Sequence, residues 1–321
     1  MVSFEFKLGK KSNGKIKMSK KVNVVIVTFN RINELKRCID MILIQSFEIN
    51  KIFIVDNNSS DGTSDFISKL SQSNSKFINL SLKNNIGGAG GFSFGLQKAF
   101  ENSSDFYWLM DDDGYPLNKL TLEILMESTS SIYSSNKLIL SNSLVTCGNG
   151  KLSFNLGNNL KEINEVENYS KNDIFWGGIN PFNGTLISNE LVQKIGFPNK
   201  NFFIKGDETD FLYRAINSGA SVFTVNKSLF FHPYTPITLK KFLGKSLQIS
   251  LEKPWKEYYK TRNYVYMYLR NRKFKKFILF VFYRFFETFF HKNQYFLNLA
   301  YFFNGVFDGI FGILGPRKKP S

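Results

Sequence analysis

The sequence predicts an α/β fold with a mostly parallel central sheet, followed by a helical C-terminal region. Apolar runs of strand length alternate with segments of helical spacing over the first 125 residues. Polar or glycine-rich loops follow successive strands. This alternation is typical of parallel strands joined by right-handed crossovers. Because such sheets bind ligands outside the carboxyl ends of their strands, we expect a ligand site at that edge.

The individual elements follow from hydrophobic periodicity. The run VNVVIVTF is rich in β-branched residues and predicts a buried strand. Leu35, Cys38 and Ile39 then recur at helical spacing. The predicted strands cover residues 22–29, 52–55, 77–82 and 106–110, and the predicted helices cover residues 33–45, 64–70 and 90–100.

Three adjacent carboxylates, Asp111, Asp112 and Asp113, follow the apolar run FYWLM and precede a glycine. Like charges placed at the end of a buried strand repel one another, and burial adds a desolvation cost. A solvated turn accommodates them, and a bound divalent cation relieves the repulsion. Mg2+ and Mn2+ prefer oxygen ligands of this kind. Taken alone, the triplet leaves both interpretations open.

Composition narrows the class of protein. The 321 residues carry a net charge of +16, which suits anionic partners such as nucleic acid, anionic lipid or phosphorylated substrates. Two distant cysteines indicate no disulfide framework, in keeping with a reducing cytoplasm. Residues 1–21 are basic without an apolar signal-peptide core, and predict a disordered leader. The sequence contains no apolar run of about 18 residues, so we predict no helix that spans a membrane.

The middle of the chain is less regular. Residues 147–175 are rich in Asn, Gly and Lys and predict an irregular insertion. A helix is expected after Asp207 and Glu208, whose acidic side chains could simply favour the positive end of the helix dipole. Two short strands, residues 221–225 and 228–231, are expected before His232.

The last third is basic and aromatic. An apolar stripe recurs at helical spacing and predicts a helix that lies on an anionic membrane surface. The alternative is a helix that packs on the core or on a sister subunit of a homo-oligomer. The stripe comprises Phe274, Phe277, Ile278, Val281, Phe282, Phe285 and Phe289. The accompanying basic residues are Arg270, Arg272, Lys273, Lys275, Lys276 and Arg284.

Four motifs, taken in order, resemble the inverting family 2 glycosyltransferases of GT-A fold over residues 22–233. They are VIVTFNR, IVDNNSSDGT, MDDDG and FFIKGDETDFLYRA. Within that family, NNIGGAGGFSFG, WLMDDDGYP and FFIKGDETD most resemble the bacterial galactofuranosyltransferases. Rhamnosyltransferases that use a dTDP-sugar share much of the pattern and form the alternative within the family.

The resemblance implies roles for particular residues. A divalent cation, Mn2+ or Mg2+, would be held by Asp111, Asp113 and His232. Glu208 matches the position of the catalytic base, but the family more often has Asp there, so Asp207 is the alternative base. The implied nucleotide-sugar site comprises Thr28, Asn30, Arg31, Asp56, Asn85, Gly88, Asp112, Trp176 and Gly177.

The implied activity is transfer of galactofuranose from UDP-galactofuranose to a hydroxyl of a bacterial surface polysaccharide or lipid-linked glycan. The enzyme would act on the inner face of the cytoplasmic membrane. The implied organisation is a leader (1–21), a GT-A catalytic domain (22–235) and a helical basic-aromatic region (236–321). Two other classes were weighed: a nucleic-acid-binding module and a non-catalytic membrane scaffold. The basic residues concentrate at the chain ends and no nucleic-acid motif occurs, which predicts no nucleic-acid partner.

Overall fold

A computed structural model describes residues 20–157, 160–234, 238–242, 245–249, 252–290 and 295–318. In these ranges the chain forms twelve strands and ten α-helices. The strands are β1 (Val22–Thr28), β2 (Lys51–Asp56), β3 (Phe77–Ser81), β4 (Phe106–Asp111), β5 (Tyr115–Pro116), β6 (Ile139–Gly148), β7 (Lys151–Leu152), β8 (Ile174–Trp176), β9 (Asn183–Ser188), β10 (Ser221–Phe231), β11 (Thr238–Phe242) and β12 (Lys245–Ile249). The helices are α1 (Ile32–Leu43), α2 (Thr63–Ser73), α3 (Gly87–Glu101), α4 (Thr121–Tyr133), α5 (Ile163–Tyr169), α6 (Asn189–Ile195), α7 (Asp207–Asn217), α8 (Pro254–Arg270), α9 (Phe274–Thr288) and α10 (Tyr295–Ile310). The predicted leader falls almost wholly on residues 1–19, which lie outside the described ranges.

The central sheet has the strand order β3-β2-β1-β4-β9-β6-β10-β5. Neighbouring strands from β3 to β4 pair in parallel, as do β6 and β10, whereas β9 runs antiparallel between β4 and β6. Two antiparallel neighbours in succession restore the original direction, so β1, β2, β4, β6 and β10 all end at the same edge. The α/β prediction is confirmed, and this edge is where a ligand is expected.

The sheet is buried on both faces. On β1, Val24 and Ile26 pack with α1 and α4, while Val25 and Val27 pack with α3 on the opposite side. Burial of each such side chain stabilises the fold by about 1.5–3 kcal/mol. Side chains on both faces of the sheet are excluded from water here, which explains why β1 is a continuous apolar run and not an alternating one.

Two local expectations are corrected. Residues 147–175 are not irregular throughout, because they contain β7, α5 and part of β8. The two short strands predicted for residues 221–231 are one strand, β10, with a register shift between Val225 and Leu229. The interruption arises because Asn226 donates its backbone N–H to Asp173, and Lys227 forms a 2.7 Å ion pair with the same residue.

The C-terminal helices pack on one another with polar side chains facing inward. Arg284 of α9 was expected among the solvent-facing basic residues, but it is buried. It pairs with Glu257 of α8 and with Glu287 of α9. A buried charge requires partners of opposite charge, and the two glutamates supply them to the Arg284 guanidinium inside the helical region. None of the helices in the described ranges is long and apolar enough to cross a membrane.

Candidate active site

Four strands bring polar side chains to the common carboxyl edge. Thr28 ends β1, Asp56 ends β2 and Asp111 ends β4. The register pairs Thr28 with Asp56, and Val27 with Asp111. His232 directly follows β10. Residues that are far apart in sequence therefore line one edge because the strands that precede them are parallel.

Asp112 links the ends of β1 and β4. The Thr28 hydroxyl donates a hydrogen bond of 2.7 Å to Oδ2 of Asp112, and Arg31 Nη1 lies 3.1 Å from Oδ1. Asp112 is 3% exposed, and its burial raises the pKa of the carboxyl group to about 6. The nearby Arg31 charge and the Thr28 hydrogen bond hold the pKa from rising further.

Asp113 faces two basic side chains. Arg31 Nη1 lies 2.5 Å from Oδ2 of Asp113, and His232 Nε2 lies 3.4 Å from Oδ1. His232 is fixed by a backbone hydrogen bond from its N–H to Thr146 and by packing of its ring against Phe154, with centroids 4.6 Å apart. Oδ1 of Asp113 is buried without a hydrogen-bond partner in the described residues, so an acceptor is aimed into the site beside an imidazole.

Asp111 completes the carboxylate triplet. Burial of its carboxyl group, followed by the charges of Asp113 and Asp112, raises its pKa well above the ordinary value. The charge of Glu208 contributes in the same direction, so the first turn of α7 lies electrostatically close to the triplet. In the described ranges, no three His, Cys, Asp or Glu side chains converge closely enough to form a metal-ion site.

The pair Asp207 and Glu208 forms the first turn of α7. Gly206 precedes the helix with φ of 88°, a left-handed conformation that favours glycine. Burial, and next the charge of Glu208, raise the pKa of Asp207 well above its ordinary value. Glu208 is only partly buried, and its Oε2 accepts a 3.1 Å hydrogen bond from the Gly206 N–H. The two acids thus occupy different environments although they are adjacent.

The predicted nucleotide side is held together by loop-to-loop hydrogen bonds. Asn30 donates its backbone N–H to the Ser59 hydroxyl, and its side-chain oxygen accepts from the Ser60 N–H at 2.7 Å. Asp56 is buried and accepts from the Ser59 N–H at 3.0 Å. The loops that follow β1 and β2 are therefore fixed against each other at the carboxyl edge.

The glycine-rich start of α3 combines close packing with an open position. A Cβ on Gly87 would lie 1.9 Å from the carbonyl oxygen of Phe203, and one on Gly91 would lie 2.6 Å from Val27. These glycines let α3 approach its neighbours. A Cβ added to Gly88 would have no neighbour within 4 Å among the described residues. Beside it, the side-chain oxygen of Asn85 accepts a 2.8 Å hydrogen bond from the Gly87 N–H.

Trp176 and Gly177 are not brought to this cluster. Trp176 pairs with Phe223, eight residues before Phe231, and Gly177 donates its N–H to Val222. They lie towards the amino end of β10, along an outer strand. Trp176 is 54% exposed and packs against the Phe223 ring. Their role in sugar binding stays a prediction.

Several residues that hold the site together were missed by sequence reasoning. Asn57 bridges two loops, because its side-chain oxygen accepts from Ile86 N–H while its Nδ2 donates to Gly87. Arg262 and Asn263 of α8 contact the backbone before Asp207. No local signal marked this last pair, because Arg262 and Asn263 end the polar run that begins at Lys260 in α8.

The first part of the central sheet matches a family model. Residues 23–131, from β1 into α4, match the family described as Glycosyl transferase family 2. Over these residues the chain is similar to the family 2 glycosyltransferases. The match includes Thr28, Asp56 and the triplet from Asp111 to Asp113, which lie together at the carboxyl edge.

This glycosyltransferase is 28% identical over 257 residues to galactofuranosyltransferase GlfT1 of Mycobacterium tuberculosis, covering 78% of this chain and 83% of that one. Mannosyltransferase PcManGT from Pyrobaculum calidifontis, solved with GDP-Man and Mn2+, shares the fold with a TM-score of 0.55 at 12% identity, covering 92% of this chain and 88% of that one. GalNAc-T7, solved with UDP, GalNAc and Mn2+, has a TM-score of 0.57 at 15% identity, covering 78% of this chain and 48% of the longer protein. The predicted GT-A fold and the predicted similarity to galactofuranosyltransferases are confirmed.

Proposed function

We propose that this glycosyltransferase moves galactofuranose, with inversion, from UDP-galactofuranose to a hydroxyl of a bacterial surface-polysaccharide or lipid-linked glycan acceptor. The observation that carries the proposal is the meeting of two acidic groups at one sheet edge. The triplet Asp111–Asp113 lies beside Arg31 and His232, and the charge of Glu208 contributes to the raised pKa of Asp111. The 28% identity to GlfT1 supports the choice of donor sugar.

The acid pair supports Glu208 as the base. Asp207 is buried, and its burial together with the charge of Glu208 raises its pKa well above the ordinary value, so ionisation is disfavoured at Asp207. Glu208 is partly exposed and accepts from a backbone N–H, which fixes its carboxylate. One carboxylate that removes the acceptor hydroxyl proton as that oxygen attacks is sufficient for a single inverting displacement.

The triplet supports a divalent cation. Oδ1 of Asp113 accepts no hydrogen bond from the described residues, and it lies beside the imidazole of His232. With Asp111, these residues would hold a Mn2+ or Mg2+ ion, because such ions often take only one or two carboxylates from protein and leave other positions to phosphate oxygens. Both solved structures named above contain Mn2+. When bound, the ion stabilises the negative charge of the departing nucleoside diphosphate as a Lewis acid.

The remaining edge residues form the proposed nucleotide-sugar site. Thr28, Arg31 and Asp112 are already joined by hydrogen bonds, which orients them before a ligand arrives. Such preorganisation supplies part of the rate by fixing the donor for attack. The rest of the proposed site comprises Asn30, Asp56, Asn85 and Gly88. Sugar binding by Trp176 and Gly177 stays a prediction, although β8 pairs with the early part of β10.

The outward surface of the last two helices supports attachment to an anionic membrane. On α9, Arg284 and Glu287 face the protein, so the opposite side of that helix is apolar and exposed. Exposed apolar residues on α10 extend this surface, which we call the apolar tail face. It comprises Phe274, Ile278, Leu279, Phe282, Phe296, Leu297, Phe303, Phe307 and Ile310.

Charge complementarity supports an anionic membrane as the occupant of the apolar tail face. Arg272, Lys273, Lys275 and Lys276 are exposed where α9 begins. Each basic residue near an anionic headgroup contributes about 1 kcal/mol, and this attraction adds to apolar insertion. The inner face of the cytoplasmic membrane, where lipid-linked acceptors are exposed, fits this combination. A subunit-packing role predicts a homo-oligomer instead.

The donor is tested by incubating the purified full chain with Mn2+, a synthetic acceptor and a panel of sugar nucleotides. We expect product from UDP-galactofuranose, none in excess EDTA, and none from Asp113→Ala. Product only from dTDP-rhamnose would contradict UDP-galactofuranose as the donor, but it would still support glycosyltransferase activity. Undiminished transfer in excess EDTA would contradict the proposed dependence on a divalent cation. No transfer from any sugar nucleotide would contradict the proposed enzyme.

A further inference from the structure

The backbone that leads into the acid pair forms a single 3-10 turn, Lys200–Phe202, and then follows an irregular path to α7. Residues 201–206, which we call the acidic loop, include three residues in the left-handed region: Phe203 (φ 67°), Lys205 (φ 67°) and Gly206 (φ 88°). Non-glycine residues adopt this region at a cost, and they keep it only where the surroundings hold them. Carbonyl groups of such a buried segment also need donors from elsewhere.

One side chain of α8 supplies those donors. Nδ2 of Asn263 lies 3.0 Å from the carbonyl oxygen of Phe202, 2.9 Å from that of Ile204 and 2.7 Å from that of Lys205. Asn263 is completely buried. A side-chain amide has two hydrogens, so the three carbonyls share them. The turn before Glu208 is therefore gathered around a single amide group.

Arg262 completes the arrangement from the preceding position. Its Nε donates to Oδ1 of Asn263 at 2.8 Å, which fixes the amide so that Nδ2 faces the acidic loop. Its Nη2 lies 2.9 Å from the carbonyl oxygen of Phe202 and 3.2 Å from that of Asn201. Arg262 is also fully buried, so these hydrogen bonds satisfy a guanidinium that has left water.

The same loop contacts the start of α3. The carbonyl of Phe203 accepts from Ala89 N–H at 3.1 Å, against the closely approaching Gly87. Beyond the loop, the hydroxyls of Thr209 and Tyr264 are 3.0 Å apart, which joins α7 to α8 once more. The acidic loop is thus held between the glycine-rich helix and α8.

We infer that Asn263, oriented by Arg262, is a positioning residue for the proposed base: it sets the path of the acidic loop and with it the place of the Glu208 carboxylate. The assignment rests on the proposed function for the identity of the base. Its structural part, that the amide of Asn263 holds residues 201–206, stands independently. A shift of about 1 Å in a catalytic group can cost a factor of about 100 in rate.

The test compares Asn263→Asp with Asn271→Ala in the full chain. Asn263→Asp keeps the shape and replaces both donors by an acceptor that repels the loop carbonyls. Asn271 lies at the end of the same helix, and its Nδ2 donates only within α8, to Met267 at 2.8 Å, so it is the matched control. Amide hydrogen exchange of peptides that cover residues 201–208, kcat, and the Kd for UDP with Mn2+ are measured for each.

We expect faster exchange in the acidic loop and a kcat lowered at least tenfold for Asn263→Asp, with the UDP Kd within about twofold of the wild type. Asn271→Ala should match the wild type in all three. Unchanged loop exchange and kcat in a folded Asn263→Asp would overturn the inference. If that variant does not fold, the wild type decides: slow loop exchange supports the inference and exchange as fast as in an unstructured peptide overturns it.

The outcomes separate this inference from the proposed function. If Glu208 is not the base, Glu208→Gln remains active while Asn263→Asp still loosens the acidic loop. If Asn263 does not position the loop, Glu208→Gln is inactive while Asn263→Asp exchanges as the wild type does.

Discussion

Arg31 Nη1 lies 2.5 Å from Oδ2 of Asp113, so the residue that follows β1 by three positions neutralises the acid that follows β4 by two. The same nitrogen lies 3.1 Å from Oδ1 of Asp112. Arg31 thereby joins the proposed nucleotide residues to the proposed cation residues.

Loss of Arg31 should make stability more sensitive to pH. The pKa of Asp112 in the folded state, about 6, lies above its ordinary value of 3.8, so the ionised form costs stability above about pH 6. Arg31 offsets part of that cost. Arg31→Ala should therefore lower the melting temperature more at pH 7.5 than at pH 5, where Asp112 takes up a proton.

The control for this measurement is Arg37→Ala, which removes an exposed arginine that packs on the Tyr115 ring. Its effect on the melting temperature should be similar at both pH values. An equal loss at pH 5 and pH 7.5 for Arg31→Ala would show that the pair does not act through the charge of Asp112.

Asp207→Asn should stabilise the protein at neutral and alkaline pH. The pKa of Asp207 is raised above its ordinary value of 3.8, chiefly by burial, so the folded state resists its ionisation. The wild type then loses stability relative to the variant as the pH rises above about 4. Thermal unfolding at pH 4 and pH 8 measures this difference. A variant that is destabilised more at pH 8 than at pH 4 contradicts the assignment of a protonated Asp207.

Substitution by alanine should lower the unfolding free energy at the first of two neighbouring glycines of α3 and leave it nearly unchanged at the second. Gly87→Ala places a methyl group 1.9 Å from the Phe203 carbonyl oxygen at φ of 77°, so we expect a loss of about 2 kcal/mol or more in unfolding free energy. Gly88→Ala meets no neighbour and should leave the unfolding free energy nearly unchanged. Denaturant titration measures both. Reduced UDP binding by Gly88→Ala, without loss of stability, would support its place in the nucleotide-sugar site.

These glycines show where sequence reasoning succeeds and where it stops. Strands such as β1 and β4 were located from local composition, because a strand buried on both faces must be apolar throughout. The cluster Gly87–Gly91 was interpreted through its motif. That Gly87 is needed for contact with Phe203, 116 residues away, follows only from the packed structure.

The residues of the site were likewise predictable from the sequence only in part. Asp111–Asp113, Thr28 and Arg31 stand directly after strands, so their meeting follows from parallel topology. The position of Trp176 depends on the pairing of β8 with β10, which no local pattern encodes. Asn263 has no motif, because its function is to satisfy backbone carbonyls whose irregular path the sequence does not reveal.

The apolar tail face should bind anionic vesicles. Ile278 and Phe282 are each 63% exposed, whereas Phe277 and Phe285 of the predicted stripe are half-buried. Ile278→Glu/Phe282→Glu should therefore abolish sedimentation with phosphatidylglycerol vesicles without unfolding the protein. Binding of the wild type should weaken with salt, because headgroup attraction is screened.

Leu43→Glu/Ile44→Glu is the matched control for membrane binding. Both residues are apolar and about half exposed, and they lie at the end of α1 in the catalytic domain. This variant adds the same charge and should sediment as the wild type does. Equal sedimentation of both double variants would show that the apolar tail face contacts protein, and a concentration-dependent change in mass would then identify a homo-oligomer.

The central claim is that Glu208 removes the proton of the acceptor hydroxyl in a glycosyl transfer at this sheet edge. The most direct measurement is kcat and the UDP Kd, with Mn2+, for Glu208→Gln beside Asp207→Asn. The account predicts a kcat lowered about 100-fold or more for Glu208→Gln, with UDP affinity retained, and an active Asp207→Asn. An active Glu208→Gln together with an inactive, folded Asp207→Asn would contradict it.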